Sequence, residues 1–198
     1  MKLSVIIPVY NQEELVLRAI QSIPNREDIE LIVIDDCSTD GTYEVVKLYS
    51  HYARREIILL HNDENKGVGY TTNKGLDIAS GEYEVLLGSD DYFVNLENVI
   101  DLLDGTDLIY FPLELNDGSF WTPNWDNRFS LCGSVKFMRR EFVGDLRNPE
   151  IRQAEDLDFN ARLLKKNPTV KYLNRNIVYK HYNFPREGSL SWNAIHGG

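Results

Sequence analysis

Cysteine is scarce in this chain of 198 residues, which has only Cys37 and Cys132. The two cysteines show none of the paired spacings of a zinc site, and nothing in the sequence supports a disulfide between them, so we expect both to be reduced. The chain also lacks any apolar run close to the ~20 residues that a helix needs to cross a bilayer. We therefore expect a cytoplasmic protein without a transmembrane segment.

Basic residues are also few, with 21 Lys and Arg against 31 Asp and Glu and a formal net charge of −10. This balance argues against a nucleic-acid backbone as the main partner, and against anionic lipid bound by charge alone. It does not exclude a nucleotide, because a metal ion can mediate that contact. Aromatic residues are plentiful, with 11 Tyr, 8 Phe and 3 Trp.

Apolar runs alternate with helical repeats through the first half of the chain. Four buried strands are predicted at 3–7, 29–34, 57–60 and 83–87, separated by helices around 15–23, 45–49 and 70–79. This alternation predicts parallel βαβ units in a doubly wound α/β sheet. The second half is less regular, with helices predicted at 96–103 and 155–166, strands at 108–111, 170–173 and 177–182, and a hairpin around 116–118.

Pairs of acidic residues stand at the ends of two predicted strands. Asp35-Asp36 ends the second strand and Asp90-Asp91 follows the fourth. The carboxyl ends of parallel strands meet at one edge of the sheet, where open α/β folds bind ligands. A third pair, Glu155-Asp156, opens the late helix. Each pair alone suits turn chemistry or a helix N-terminus, but two Asp pairs at one edge favour a metal-assisted nucleotide site.

Short motifs surround these acids in a fixed order. They are PVYN at 8–11, DDCSTDGT at 35–42, NKG at 65–67 and again at 73–75, GEY at 81–83, SDD at 89–91, AEDLD at 154–158 and REGSLS at 186–191. Each motif is weak alone, but their order and spacing resemble those of the family 2 glycosyltransferases of the GT-A fold. The resemblance implies one domain with a Rossmann-like, mostly parallel central sheet flanked by helices. Its nucleotide-sugar-binding half would span about 1–95, and an irregular acceptor-binding half about 96–198.

The resemblance also implies a reaction: inverting, metal-dependent transfer of a sugar from a nucleoside diphosphate to an acceptor hydroxyl. UDP is the expected nucleotide, and the expected acceptor is a glycan, a lipid-linked molecule or a surface polysaccharide. Contact with the inner face of a membrane would then be peripheral and through the acceptor.

For the donor, the resemblance implies contacts from the turn after the first strand and from several polar residues. Tyr10 could stack on the base, Asp36 would accept a hydrogen bond from it, and Asp90 would lie near the ribose and diphosphate. Lys66 is a candidate diphosphate contact, because Thr72 stands where many relatives have arginine. The implied donor-binding residues are Pro8, Val9, Tyr10, Asp36, Lys66 and Asp90.

Asp91 is the implied ligand of Mg²⁺ or Mn²⁺, which would neutralise charge on the leaving diphosphate. His181 is a weaker metal candidate, because a lone histidine is more often structural. Gly88 departs from the family pattern, which often has a further aspartate at this position. Asp156 is the implied general base, and a carboxylate with pKa ~3.9 is ionised at neutral pH, as that role requires.

Other features of the second half carry more open interpretations. Glu155 could orient the acceptor, and Arg162 could pair with Asp158 one turn away. Arg186 and Ser189 fall in a motif that, in similar enzymes, closes on the donor. The aromatic cluster could be core or the wall of an acceptor cleft, and it comprises Trp121, Trp125, Phe129 and Phe137.

Two other functions stay open. A degenerate, non-catalytic binder of sugar nucleotides or glycans is supported by Gly88 and Thr72, although the intact Asp91 and Asp156 argue against it. A sugar nucleotidyltransferase would share the architecture, but a Gly-rich basic loop would be expected where this chain has PVYN at 8–11.

Overall fold

A computed structural model of the protein describes residues 1–53, 56–127, 131, 133–149, 151 and 155–184. The strands are β1 (Leu3–Val9), β2 (Ile29–Asp35), β3 (Ile58–His61), β4 (Tyr83–Leu86), β5 (Tyr92–Val94), β6 (Leu108–Tyr110), β7 (Leu113–Glu114), β8 (Phe120–Trp121), β9 (Lys136–Arg139), β10 (Val170–Tyr172) and β11 (Tyr179–His181). The helices are α1 (Val16–Gln21), α2 (Thr42–Tyr52), α3 (Val68–Ile78), α4 (Arg140–Val143) and α5 (Glu155–Leu164), with a 3₁₀ helix at Leu96–Leu102.

The central sheet has seven strands in the order β10-β6-β9-β4-β1-β2-β3. β1 lies between β2 and β4 and is parallel to both, with Val9 opposite Asp35. The side chains of β1 and β2 are almost all buried, as expected where helices cover both faces of a parallel sheet. The predicted α/β architecture is confirmed, and the ends of β1, β2 and β4 lie side by side.

One strand of this sheet was not predicted. β9 runs antiparallel between β4 and β6, and its four residues begin and end with a basic side chain. Lys136 is nevertheless 3% exposed, because its ammonium group donates to the carbonyls of Leu131 and Gly133 at 2.9 and 3.0 Å. So short and charged a strand has no sequence pattern that distinguishes it from a loop.

A second sheet of four strands, in the order β5-β11-β7-β8, lies in the second half of the chain. β7 and β8 form the predicted hairpin, with Gly118 at a φ of +79° that favours glycine. β11 pairs antiparallel with β5 and parallel with β7. Because β5 begins directly after Asp91, this pairing brings β11 to the end of β4.

Helix α5 buries one face that includes two of its three leucines. Leu157 is 36% exposed, whereas Phe159, Asn160, Leu163 and Leu164 are buried. Of the aromatic cluster, Phe137 lies in the core and Trp125 is 36% exposed, while Phe129 lies outside the described residues.

Cys37 is a free thiol, and Cys132 is not described. No helix in the described part of the chain is long and apolar enough to span a membrane.

Glu84 is an acidic side chain enclosed within the sheet. It lies on β4 opposite Ser4 of β1 and Met138 of β9 and is 2% exposed. Among the described residues its Oε2 has no hydrogen-bond partner. Burial raises the pKa of Glu84 to about 7, because a charged carboxylate is costly away from water.

We expect Glu84 to lower the free energy of unfolding as the pH rises from about 4.5 to about 7. In that range the unfolded chain releases the proton that the folded chain keeps, which costs on the order of 3 kcal/mol. Glu84→Gln should therefore be more stable, relative to wild type, at pH 8 than at pH 5 in urea unfolding. Glu82→Gln, at an exposed neighbour, should shift stability about equally at both pH values; an identical pH response of the two variants would contradict the assignment.

Candidate functional site

Three strand ends form one edge of the central sheet and bring most of the predicted donor-binding residues together. The Asp36 backbone N–H donates to the Val9 carbonyl at 2.8 Å, and the Leu87 N–H donates to the Ile6 carbonyl at 2.9 Å. The segment after β1 therefore lies between Asp36 on one side and the turn from Gly88 to Asp91 on the other. The predicted convergence of the two Asp pairs at this edge is confirmed.

Asp36 anchors the loop between β3 and α3. Its Oδ1 accepts from the Asn62 side chain at 2.8 Å and from the Lys66 backbone N–H at 2.9 Å, and its Oδ2 accepts from the Gly67 N–H at 2.8 Å. The carboxylate is 3% exposed. Three donors compensate its buried charge and fix the start of α3 at this edge.

The NKG motif at 65–67 has its explanation in this loop. Gly67 has φ +86° and ψ 163°, a conformation that is essentially restricted to glycine. The Lys66 ammonium pairs with Glu64 at 2.5 Å and lies 5.7 Å from the centre of the Tyr70 ring. Both the backbone amide and the side chain of Lys66 make contacts within the loop. A contact between Lys66 and a diphosphate stays a prediction.

Asp35, the other member of the first pair, has a partner that sequence reasoning missed. It is fully buried, and its Oδ2 lies 2.8 Å from His61 Nδ1 and accepts from the Ser38 N–H at 3.1 Å. The Lys74 ammonium donates to the His61 carbonyl at 3.1 Å and to the Asn62 side-chain oxygen at 2.8 Å. The sequence feature that could have indicated this contact was the position of His61 and Asn62, directly after the third predicted strand.

The PVYN turn presents one exposed ring. Tyr10 is 43% exposed, whereas the Val9 side chain is 2% exposed and Pro8 is partly buried. Asn11 has φ +51° and ties the turn to the β2–α2 loop, because its side-chain oxygen accepts from the Thr39 N–H at 2.8 Å. Tyr10 is thus available for stacking, and Val9 can contribute little through its side chain.

The two aspartates of the turn after β4 differ in burial and in hydrogen-bond partners. Asp91 is 2% exposed, and its Oδ2 lies 2.8 Å from the Lys180 ammonium, which is 1% exposed. Its Oδ1 accepts from the Asn183 N–H at 2.9 Å. Asp90 is only partly buried, and its backbone carbonyl accepts from the Arg18 guanidinium of α1 at 2.6 Å.

His181 lies on the other side of β11 from Asp91. Neighbouring residues of a strand point to opposite faces, so Lys180, which reaches Asp91, and His181 diverge. The His181 ring stacks on Tyr92 with ring centres 4.6 Å apart, and the Arg18 guanidinium covers Tyr92 at 4.9 Å. The described geometry does not bring the two predicted metal-binding residues together.

A divalent ion at Asp91 does not fit this arrangement. Each carboxylate oxygen has one protein donor, and an ion bound there would lie beside a buried ammonium group, whose positive charge repels a divalent cation. Within the described residues, no group of three or more His, Cys, Asp or Glu side chains could hold a metal. Mg²⁺ and Mn²⁺ beside a diphosphate need only one or two carboxylates, however, and Asp90 is the remaining carboxylate of this turn.

The acidic start of α5 lies across from this edge. A Cβ added to Gly69 of α3 would lie 3.3 Å from Glu155 Cγ, so the two helices approach closely here. Burial, and then the neighbouring Asp156, raise the pKa of Glu155. A Cβ added to Gly133 would lie 3.6 Å from Asp156 Oδ2, so the segment before β9 passes beside the predicted base.

Arg162 has the structural role that its spacing indicated, because its Nε donates to Asp158 at 2.7 Å. Arg186, Ser189 and Ala154 lie outside the described residues.

Comparison with known proteins identifies the family. Residues 4–167 match the family model described as glycosyl transferase family 2, and the chain therefore belongs to that family. A Bacillus subtilis (strain 168) protein, TuaG, named as a teichuronic acid biosynthesis glycosyltransferase, is 30% identical over an alignment of 192 positions that covers 86% of this chain and 75% of that protein. A poly(ribitol-phosphate) beta-glucosyltransferase of Bacillus spizizenii is 35% identical over an alignment of 96 positions that covers 46% of this chain and 15% of that protein.

Solved structures share the GT-A fold. Residues 1–349 of S. aureus TarS, in complex with UDP-GlcNAc, align with a TM-score of 0.81 and 25% identity over 96% of this chain and 60% of that chain. The mannosyltransferase PcManGT from Pyrobaculum calidifontis, with GDP-Man and Mn²⁺, aligns with a TM-score of 0.73 at 18% identity, covering 97% of this chain and 59% of that chain. The chain thus spans about three fifths of these solved chains.

Asp36→Ala tests whether this carboxylate fixes the loop. We expect it to destabilise the protein by on the order of 3 kcal/mol, because three buried donors lose a charged acceptor. Amide hydrogen exchange at Lys66 and Gly67 should accelerate. Asp63→Ala, at an exposed acid of the same loop, should leave both measurements near wild type; matching exchange rates in the two variants would show that Asp36 does not anchor the loop.

Proposed function

We propose that this protein transfers a sugar, with inversion, from a nucleoside diphosphate, UDP in the first instance, to a hydroxyl of a cell-surface glycan. The observation that carries the proposal is the shared edge of β1, β2 and β4, where an exposed Tyr10 ring lies between the Asp36 loop and the Asp90 turn. Membership of glycosyl transferase family 2 and the UDP-GlcNAc bound in TarS support it.

For the donor, we assign the base to the Tyr10 side of this edge and the diphosphate to the Asp90 side. An aromatic ring can stack on a planar base. Asp36 already accepts three hydrogen bonds and is 3% exposed, so we expect it to act on the base mainly by holding the Lys66–Gly67 backbone in place. Lys66 would reach a diphosphate only by leaving Glu64.

Asp156 is the proposed general base. Its carboxylate takes the proton of the acceptor hydroxyl while that oxygen forms a bond to the anomeric carbon. The bond from the anomeric carbon to the diphosphate oxygen breaks, and its electron pair leaves with the nucleoside diphosphate. Attack opposite the leaving group inverts the configuration. The neighbouring Glu155, with its raised pKa, lies where it can orient the acceptor.

Mg²⁺ or Mn²⁺ is the proposed cofactor, with Asp90 as its protein ligand. Such an ion would neutralise the charge that develops on the leaving diphosphate. The Lys180 partnership of Asp91 supports Asp90 over Asp91 in this role.

The first test is a thermal-shift panel of UDP, GDP, CDP and TDP, each with and without Mn²⁺. A nucleotide at 100 times its Kd should stabilise the fold by ~2.7 kcal/mol. We expect UDP with Mn²⁺ to give the largest shift. Failure of every nucleotide to raise the melting temperature would contradict the donor assignment.

Asp156→Asn tests catalysis separately from binding. The variant should keep the UDP-induced shift, while release of UDP from a UDP-sugar falls by roughly 100-fold or more, because the amide cannot accept the proton. Asp158→Asn is a matched control, since Asp158 lies two residues further along α5 and pairs with Arg162. Wild type that binds UDP but never releases it from a sugar would instead indicate a non-catalytic binder.

A further inference from the structure

Lys180 and Asp91 form a buried ion pair that the proposed chemistry does not use. Their side chains are 1% and 2% exposed, and the ammonium nitrogen lies 2.8 Å from Asp91 Oδ2. The same ammonium donates to Ser134 Oγ at 2.6 Å, and Asp91 Oδ1 accepts from the Asn183 N–H. Three separate segments of the chain thus meet at one lysine.

A buried ion pair is weak evidence for stability, because the loss of hydration offsets much of the attraction between the charges. Such pairs can instead specify one arrangement of the segments that they join. The Lys180–Asp91 pair fixes two segments of the chain relative to one another.

On one side, the pair holds the turn that contains Asp90. The Asp91 N–H donates to the Gly88 carbonyl at 3.0 Å, and a Cβ added to Gly88 would lie 2.9 Å from Asp91 Oδ2 and 3.2 Å from Asp90 Oδ1. Both carboxylates therefore face the space above Gly88. The position of Asp91 limits where the Asp90 carboxylate can lie.

On the other side, Lys180 holds the segment that passes Asp156. Ser134, its hydrogen-bond partner, follows Gly133, whose φ of +69° lets the backbone pass beside the Asp156 carboxylate. The second buried lysine, Lys136, fixes the Gly133 carbonyl from the strand side. Contacts therefore connect the Asp90 turn, through Lys180, to Ser134, which lies in the segment that passes beside Asp156.

We propose that Lys180 is a positioning residue that fixes the spacing between the donor-side Asp90 and the base Asp156, and that Asp91 serves this pair instead of a metal ion. The inference rests on the proposed transferase function. Misplacement of reacting groups by about 1 Å can cost ~100-fold in rate, so loss of this spacing should lower kcat with little effect on nucleotide affinity.

The main test compares wild type with Lys180→Met/Asp91→Asn. The double variant removes both charges together, keeps similar shapes, and retains an acceptor for the Asn183 N–H, so no charge is left buried alone. With UDP and Mn²⁺ we expect a Kd within about 3-fold of wild type, and a kcat for UDP release that is lower by about 10- to 100-fold. An unchanged kcat in the folded double variant would overturn the positioning role.

Ser134→Ala provides a milder variant if the double variant does not fold. It removes only the contact between Lys180 and the segment beside Asp156, and leaves the ion pair intact. We expect kcat to fall by roughly 3- to 10-fold with Kd unchanged. Ser119→Ala, at an exposed hairpin serine bonded to Asp117, should have no effect. Equal kcat values in these two variants would also count against the proposal.

The metal part of the inference has a readout other than activity. UDP binding with and without Mn²⁺ should show that the metal-dependent gain in affinity persists in Lys180→Met/Asp91→Asn and is lost in Asp90→Asn. Loss of that gain in the double variant, with metal-free UDP binding retained, would make Asp91 the metal ligand. If wild type neither binds a nucleotide nor releases one from a sugar, the proposed function itself fails. If wild type is active and the variants behave like it, only the positioning role of Lys180 fails.

Discussion

The structure depends on a strand that is covered on both faces. β1 lies between two parallel neighbours, with nearly every side chain buried. A strand in that position has no solvent-facing side, so its polar chemistry is confined to its ends. The same holds for β2, which is apolar and buried from Leu31 to Ile34 and ends at Asp35. Concentrating polar groups at one sheet edge is therefore a consequence of how the sheet is buried, and the proposed donor site uses that edge.

Acids packed together at such an edge must each be compensated. Asp35 lies against His61, Asp36 accepts from two backbone amides and an asparagine, and Asp91 pairs with Lys180. Each solution also ties distant segments together, because every partner comes from another part of the chain. The hydrogen bonds and ion pairs that compensate a buried carboxylate therefore also hold a loop or turn in one position.

Because a buried carboxylate needs its own partner, two aspartates that are adjacent in sequence can have different surroundings and different roles. Asp90 and Asp91 are neighbours in sequence, but one is buried against an ammonium group and the other is partly exposed at the turn. A similar divergence separates Lys180 from His181, because a strand sends successive side chains to opposite faces. Lys180 therefore reaches the Asp91 carboxylate, whereas His181, which sequence reasoning had considered as a metal ligand, stacks on Tyr92.

The sequence by itself determined the α/β class, the positions of the first four strands along the chain, the turn at Gly118 and the edge where the Asp pairs meet. These features follow from local patterns, namely apolar runs, helical spacing and residues that favour turns. Only the tertiary structure decided the partners of Asp36, Asp91 and His181, the antiparallel insertion of β9, and the buried face of α5. Asp91 and Lys180 are far apart along the chain, and no local pattern encodes a contact that forms only when β11 pairs with β5.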